Sequence, residues 1–197
     1  MARPRTTSDE AILSAAARAV GRHGITGLTL AAVAKEAGLS PATLVQRFGS
    51  KRGLLLALAA QGAAATDEPF RRARRELSSP LEVLRSALTR LASDVRTPEE
   101  MANNLGFLQL DLTDPDFRHH ARESARRMHR EIAALLAEAL SAGELAPDVD
   151  AEALARAVQV AYNGALLLWS LTGESGLEES LLADVDGVLR PHLALAE

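Results

Sequence analysis

Several residue types are missing or rare in this chain of 197 residues, and each absence removes a class of structure. There is no cysteine, which excludes disulfides, thiolate metal sites and cysteine nucleophiles and agrees with a reducing compartment. No apolar run approaches the roughly 20 residues that a membrane-spanning helix requires. The Arg- and Thr-rich N-terminus also lacks the apolar core of a secretory signal. We therefore expect a cytoplasmic protein with no membrane partner.

Positive charge is scarce beyond residue 53. Residues 1–53 carry eight Lys and Arg against three Asp and Glu, whereas residues 54–197 carry 14 basic and 23 acidic side chains. A random distribution of charge is a poor explanation for an excess of basic residues in so short a segment. Charge alone, however, does not distinguish a nucleic-acid partner from a membrane surface. The asymmetry favours a DNA-binding module joined to an acidic module that has a different role.

Aromatic residues make up only 3% of the chain, and the apolar content is mostly Ala and Leu. Because Ala and Leu are strong helix formers, we predict an all-α protein of about nine helices with no strand. The segment Thr7–Glu10 has the pattern of a capping box, and Gly24 is placed to end the first helix. Thr29 and Ser40 are expected to cap the second and third helices.

Two short helices joined by a tight turn at Gly38 form a helix-turn-helix pattern. The second of them covers residues 40–48 and can lie in the major groove of DNA. Leu44 and Phe48 are four residues apart, so both are expected to pack inward on the first two helices. The remaining positions of this helix then face outward.

These outward positions and the basic residues near them are the predicted DNA contacts. Gln46 and Arg47 offer the bidentate hydrogen bonds that read adenine or guanine. Lys51 and Thr29 can hold phosphates, and the basic N-terminal tail can enter the minor groove. The predicted set is Arg3, Arg5, Thr29, Ser40, Pro41, Ala42, Thr43, Val45, Gln46, Arg47 and Lys51.

Cap, turn and core positions agree in order and spacing with one known family over about the first 56 residues. The matching positions are Ile12-Leu13, Ala15-Ala16, Gly24, Thr29-Leu30, Val33-Ala34, Ala37-Gly38-Leu39-Ser40, Leu44, Phe48 and Ser50-Lys51. This pattern resembles the TetR (tetracycline-repressor) family. The resemblance implies a helix-turn-helix DNA-binding domain, placed at residues 1–53, and a helical ligand-binding and dimerisation domain at 54–197. It also implies a homodimer that occupies a pseudo-palindromic double-stranded DNA operator until a small-molecule effector binds.

Three positions depart from the family pattern. The family usually has Tyr at the position of Val45, often His or Tyr at Arg47, and Glu at Arg52. Val45 has no hydroxyl for a phosphate, although its methyl groups can contact a thymine methyl. Arg47 can restore the missing backbone contact, and Arg52 raises the local positive charge.

Apolar stretches with a few polar side chains in the second half supply candidates for the ligand pocket and the subunit contact. Ordinary core packing is the alternative for any such stripe. The glycine in the middle of the penultimate helix costs about 1 kcal/mol relative to alanine, which a closely approaching helix or ligand would justify. The pocket candidates are Asn104, Phe107, Leu108, Met128 and Tyr162. The candidates for an intersubunit four-helix bundle are Gly164, Leu168, Trp169, Leu181, Val185 and Leu189.

Catalytic and metal-binding patterns are weak. His119, His120 and His129 are not accompanied by a second Glu/Asp-x-x-His pair, so neither a metal nor a cofactor is predicted. An enzyme is disfavoured because the sequence offers no nucleophile–base pair or phosphate-binding loop. The favoured function is a repressor released by a small apolar or amphipathic ligand. The alternative is a DNA-binding regulator that acts without a ligand, or an activator.

Overall fold

The structure is a computed structural model that describes residues 7–194, and every regular element in that range is helical. This confirms the predicted all-α fold class. The α-helices are α1 (Asp9–Gly27), α2 (Leu30–Ala37), α3 (Pro41–Phe48), α4 (Lys51–Ala65), α5 (Glu68–Glu76), α6 (Pro80–Leu91), α7 (Pro98–Leu105), α8 (Phe107–Thr113), α9 (Pro115–Ser141), α10 (Ala151–Thr172) and α11 (Leu177–Leu189). A turn of 3-10 helix at Arg190–His192 follows α11. None of the helices within residues 7–194 has the length and apolar character needed to cross a bilayer.

Two of these helices, α5 and α8, are additional to the expected count of about nine. No side-chain hydrogen bond caps α5, which begins after Asp67. The short α8 follows α7 through Gly106, whose φ of −56° and ψ of −25° are themselves helical. Since α7 and α8 are almost continuous, the larger number of elements changes boundaries and leaves the fold class as predicted.

Side-chain oxygens cap the first helices, with one correction to the sequence analysis. Ser8, rather than Thr7, caps α1, because the Ser8 hydroxyl accepts a hydrogen bond from the Ala11 N–H at 3.2 Å. Thr29 and Ser40 cap α2 and α3 as predicted, accepting from backbone N–H groups at 3.1 and 3.2 Å. Such caps satisfy amides that have no partner inside the helix.

Gly24 bends the chain near the end of α1, close to the predicted helix end. Its φ of 64° and ψ of 169° are rarely adopted by residues with a side chain. A Cβ at this position would lie only 2.8 Å from Asn103 Oδ1 of α7. Asn103 also donates a hydrogen bond from Nδ2 to the Gly21 carbonyl at 2.8 Å. The glycine therefore turns the chain and allows α7 to approach α1 closely.

Buried apolar side chains form two clusters. The N-terminal cluster consists of Ile12, Leu13, Ala16, Ala19, Val20, Leu28, Val33, Ala34, Leu44, Leu54, Leu55 and Phe117. The C-terminal cluster consists chiefly of buried apolar residues of α5, α6, α9, α10 and α11. Phe117 lies at the start of α9 yet is 1% exposed within the N-terminal cluster, so α9 contributes to both clusters.

The predicted domain boundary between residues 53 and 54 falls inside α4. Leu54 and Leu55 follow the boundary directly, and both are buried in the N-terminal cluster. Phe117 packs there as well, although it comes from α9. Packing therefore joins α4 and the start of α9 to the first three helices instead of separating the chain at this boundary.

Candidate DNA-binding face and ligand cavity

The turn between α2 and α3 has the geometry of a helix-turn-helix. Gly38 adopts the left-handed conformation, with φ 66° and ψ 33°, and ends α2. The next N–H, of Leu39, donates to the Ala34 carbonyl at 2.8 Å and closes the turn. Leu44 is fully buried and Phe48 is half-buried, so α3 packs on the first two helices through the two residues predicted to face inward.

The opposite face of α3 is open to solvent. Pro41, Ala42, Val45 and Gln46 are exposed there, as the sequence analysis expected. Thr43 is half-buried, and its hydroxyl lies 2.9 Å from the hydroxyl of Ser40, the cap of the helix. Small and short side chains at the first turn allow the helix to approach base edges closely.

Arg47 takes a different place from the one expected. Its guanidinium turns toward the start of α1, where Nη1 lies 3.0 Å from Asp9 Oδ1 and also donates to the Thr7 carbonyl. Only 23% of the side chain is exposed. The expectation that Arg47 faces outward to read bases is therefore corrected, since in this arrangement the side chain fixes α3 against α1.

The other predicted contacts lie around the exposed face of α3. The Thr29 hydroxyl is occupied as the cap of α2. Lys51 is half-buried at the first position of α4, and its Nζ lies 3.4 Å from the Thr26 carbonyl. Arg3 and Arg5 lie outside the described residues.

A cavity of about 480 Å³ lies between the first helices and the rest of the chain. Its wall combines α1 and α4 on one side with α7, α8, α9 and α10 on the other. The lining residues are Ala17, Val20, Leu58, Ala59, Gly62, Ala63, Asn104, Phe107, Asp111, His120, Ala121, Ser124, Ala125, Met128, Gln159 and Asn163. A volume of this size is typical of small-molecule sites in proteins.

Three of the five pocket candidates line this cavity, namely Asn104, Phe107 and Met128. Leu108 does not, because it points outward from α8 and is 51% exposed. Tyr162 does not either, since it is buried in the C-terminal cluster, where burial raises the pKa of its phenol. The assignments of Leu108 and Tyr162 to the pocket are therefore corrected.

Several polar lining residues were missed by the sequence analysis. Asp111 is partly buried on α8, in a segment otherwise rich in large apolar residues, and this contrast was the available signal. Gln159 is 8% exposed, and its Nε2 donates to the Ala125 carbonyl at 2.9 Å. Asn163 donates to the Gln159 carbonyl at the same distance. Alone in the sequence, these amides look like ordinary polar positions of α10.

The predicted subunit contact requires the largest correction. Leu181, Val185 and Leu189 are fully buried in the C-terminal cluster of their own chain, so they present no surface to a second subunit. Trp169 is 6% exposed, and its Nε1 donates to the Ser175 carbonyl at 3.2 Å. These residues pack α10 and α11 together within one chain.

The other two predicted residues, Gly164 and Leu168, lie on the outer side of α10 among exposed apolar residues. We call Val160, Leu167, Leu168 and Leu171 the α10 stripe; their exposed fractions are 58%, 49%, 57% and 74%. At 100° per residue, all four fall on one side of the helix, and Gly164 lies among them. A Cβ at Gly164 would meet none of the described atoms within 4 Å, so no helix of the same chain accounts for that glycine.

The histidines do not assemble into a metal site within residues 7–194, where no group of three or more potential ligands is found. The His119 and His120 rings stack edge to face with centroids 5.2 Å apart. His129 Nε2 lies 2.6 Å from Glu152 Oε1, across the gap between α9 and α10.

Family models match both parts of the chain. Residues 12–58 match the model described as bacterial regulatory proteins of the tetR family. Residues 80–193, more than half of the chain, match the model described as the C-terminal part of BetI-type transcriptional repressors. The chain belongs to the TetR family.

Relatives align with this TetR-family chain over most of its length. The transcriptional regulator TtgR of Pseudomonas putida is 29% identical over 195 residues, covering 92% of this chain and 90% of TtgR. The transcriptional regulator BetI of Rhizobium meliloti is 27% identical over 186 residues, covering 93% and 88%. A regulator from Saccharomonospora viridis, crystallised with choline, has the same fold, with a TM-score of 0.78 at 18% identity over 95% of this chain and 98% of that one.

Membership of the TetR family decides between the classes of function considered above. The matched families and relatives are DNA-binding transcriptional regulators, so this chain is a transcriptional regulator and not an enzyme. The matched residues 12–58 include the whole of the helix-turn-helix formed by α2 and α3.

In this TetR-family protein, Arg52 connects α4 to the start of α9. Its guanidinium donates to both carboxylate oxygens of Asp114 and, at 2.8 Å, to Asp116. It also lies 5.7 Å from the centroid of the Phe117 ring, within the range of a cation–π contact. The Arg52 guanidinium holds the pKa of Asp114 below its usual range. Arg52 stands where the family usually has a glutamate. A glutamate at this position would repel Asp114 and Asp116, whereas Arg52 binds both.

Proposed function

We propose that this regulator is a dimeric repressor, and that a small amphipathic ligand in the cavity releases it from its operator. The observation that carries the proposal is the composition of the cavity wall. Ala17 and Val20 come from α1, which packs directly on the helix-turn-helix, while Phe107 and Met128 come from the helices that follow. A molecule that fills the cavity must contact both parts at once, so it can favour one relative position over another.

Two aromatic rings in contact also connect the cavity to the helices proposed to bind DNA. Phe107 lines the cavity, and its ring centroid lies 6.4 Å from that of Phe117. Phe117 in turn packs in the N-terminal cluster and contacts Arg52 of α4. Displacement of Phe107 by a ligand is expected to shift Phe117 and with it the start of α4, which changes the spacing of two recognition helices in a dimer.

The α10 stripe is the surface that we assign to the second subunit. Four large apolar side chains exposed on one side of a helix are unusual for a monomer and mark a protein contact. Gly164 among them permits close approach of a partner helix, and on α11 Ala183 and Gly187 are exposed and small as well. A twofold dimer presents two copies of α3, which suits a pseudo-palindromic operator.

Within the exposed face of α3, we assign base reading to Thr43, Val45 and Gln46, with Ser40, Pro41 and Ala42 allowing close approach. Thr29 and Lys51 remain the proposed phosphate contacts. Arg47 is assigned to positioning α3, through its contacts with Asp9 and the Thr7 carbonyl.

The test of the DNA-binding assignment uses a labelled duplex selected from random sequence by the protein itself. The double variant Thr43→Ala/Gln46→Ala is expected to lose about tenfold or more of its affinity for that duplex while folding normally, because lost base contacts typically cost about 1–3 kcal/mol each. A matched pair on an exposed part of α9, Ala134→Ser/Ala137→Ser, is expected to bind like the wild type. Unchanged affinity of the first variant would contradict the assignment.

The test of ligand release relies on reciprocity. Coupling between ligand and operator is typically about 1–3 kcal/mol, and the operator must weaken the ligand by the same factor as the ligand weakens the operator. A thermal-shift screen with small apolar and amphipathic compounds supplies the ligand, which is then titrated with and without saturating operator. Failure of every compound to stabilise the protein would favour the alternative, a regulator that acts without a ligand.

A further inference from the structure

Ionisable side chains are few in the cavity. Among the lining residues within 7–194, only Asp111 of α8 and His120 of α9 can carry charge, and none is Lys or Arg. The helices α1, α4, α7 and α10 contribute apolar residues and uncharged polar residues only. A ligand inside the cavity therefore meets a mostly apolar wall with one carboxyl group.

In the described part of the chain, Asp111 differs from nearby carboxylates because no cationic side chain is paired with it. Asp114, one turn further along the chain, is paired with Arg52, and Asp67 is paired with Arg127 at 3.1 Å. Within residues 7–194, no Lys, Arg or His nitrogen lies within 4 Å of the Asp111 carboxylate, although surface carboxylates nearby have such partners. Burial raises the pKa of Asp111, since the apolar surroundings disfavour the ionised form.

Resting on the function proposed above, we infer that the ligand of this cavity is an organic monocation with an apolar body, whose positive charge is bound by Asp111. An ion pair is stronger in a partly buried, mostly apolar site than at the surface, because less water screens it. An ammonium group also donates hydrogen bonds to a carboxylate, which are stronger than those between neutral groups. The apolar lining from α1 and α4 then contacts the body of the ligand.

The lining argues against a small quaternary ammonium ion such as choline. Proteins bind such ions in cages of several aromatic rings, and Phe107 is the single aromatic residue among those lining this cavity apart from His120. Tyr162 and Trp169 are buried elsewhere and do not complete a cage. A cavity of about 480 Å³ also leaves much of its apolar wall uncovered by a small ion. The expected ligand therefore carries a ring or a branched apolar group beside its charge.

The experiment compares molecules with the same apolar body and different charge. Full-length protein is titrated by calorimetry with 2-naphthylmethylammonium, 2-naphthylmethanol, 2-naphthoate and choline. The naphthyl cation is expected to bind about tenfold or more tightly than the neutral alcohol, because a charged hydrogen bond in a partly buried site is worth at least that factor. The anion and choline are expected to bind more weakly than the naphthyl cation. A cation that binds no better than the alcohol, or no binding of the cation at all, overturns the inference.

Variants assign the effect to Asp111. Asp111→Asn keeps the shape of the side chain and removes its charge, so it is expected to lose about tenfold for the cation and about twofold or less for the alcohol. Asp111→Glu is expected to keep the preference for the cation. The matched control Asp184→Asn, on the exposed side of α11, is expected to behave like the wild type. Equal binding of the cation to Asp111→Asn and wild type contradicts the inference.

The two proposals fail in different ways. Operator binding by Asp111→Asn reports that the variant is folded. If the alcohol releases wild type and Asp111→Asn from DNA as well as the cation does, the ligand-released repressor stands and the charge preference is wrong. If the cation binds through Asp111 but does not weaken the operator complex, the cationic site stands and the release mechanism is wrong.

Discussion

The helix-turn-helix part and α10 expose apolar residues in different ways. Across α1, α2 and α3, Val45 is the one large apolar side chain that is exposed among the described residues, at 47%. Along α10 four such residues form a continuous stripe. A face of small and short side chains with one larger apolar group suits DNA, where a methyl group can be read among many polar edges. An apolar stripe suits a protein partner that buries it completely.

The cavity and the N-terminal cluster occupy different places in the molecule. The N-terminal cluster fills the space between short helices, whose starts are fixed by the side-chain caps of Ser8, Thr29, Ser40 and Ser50. The cavity lies where this well-fixed part meets α7–α10. The cavity therefore borders the N-terminal cluster and does not lie within it.

The largest effect is expected from a cavity made inside the N-terminal cluster. Leu44 is fully buried, so Leu44→Ala should lower the free energy of unfolding by about 2–5 kcal/mol. The neighbouring Val45→Ala removes an exposed side chain and should change stability by about 0.5 kcal/mol or less. Urea unfolding of both variants measures the difference. Equal destabilisation by the two changes would contradict the assignment of Leu44 to the buried face of α3 and of Val45 to its exposed face.

A smaller effect is expected at the α10 stripe, where the change acts on assembly. Leu168→Glu should weaken dimerisation by about 1.5–3 kcal/mol, the value of burying one leucine, and leave the fold of each chain intact. Ala137→Glu, at an exposed position of α9, should leave the dimer unchanged. Sedimentation velocity over a range of concentrations measures both. A Leu168→Glu protein that remains as dimeric as the wild type would place the subunit contact elsewhere.

The smallest effect is expected at the ion pair that joins the two parts. Asp114→Asn keeps a good cap for α9 and removes the charge that pairs with Arg52. It should reduce the coupling between ligand and operator by less than about fivefold, because exposed ion pairs are weak. Asp148→Asn, in the loop before α10, is the control.

The same ion pair should make wild-type stability depend on acid pH. Because Arg52 lowers the pKa of Asp114 in the folded state, the contribution is fully present above the ordinary pKa of aspartate. It is lost as the pH falls through the lowered value. Thermal unfolding between about pH 5 and pH 2 should therefore show a slightly shallower decline for Asp114→Asn than for wild type. Parallel declines would mean that the pair contributes nothing to the folded state.

Local signals in the sequence were enough for most helix ends. Thr29, Ser40 and Gly38 act through atoms within four residues along the chain, so a cap or a left-handed turn can be recognised without the fold. The error at the start of α1 is of the same local kind, since Thr7 and Ser8 are adjacent hydroxyl residues and either one can cap.

The remaining errors concern partners that are distant along the chain. Arg47 looks like a base reader until Asp9 is found beside it, 38 residues earlier. The apolar spacing of Leu181 and Val185 shows that one side of α11 is buried, but it does not show whether the same chain or a partner buries it. The cavity could not be predicted as a whole because six helices build it, and Asp111 acquires its significance only from the absence of a nearby cation within the described chain.

Phe117 shows what the long α9 makes possible. The ring is buried in the N-terminal cluster, while Met128 lines the cavity 11 residues further along the same helix. At 1.5 Å per residue, the two positions are about 16 Å apart on one stiff rod. Because α9 is stiff, a small tilt of the helix near Met128 displaces Phe117 at its other end. Under the proposed release mechanism, new effector chemistries can evolve at the Met128 end while the Phe117 end transmits the same movement to the helices proposed to bind DNA.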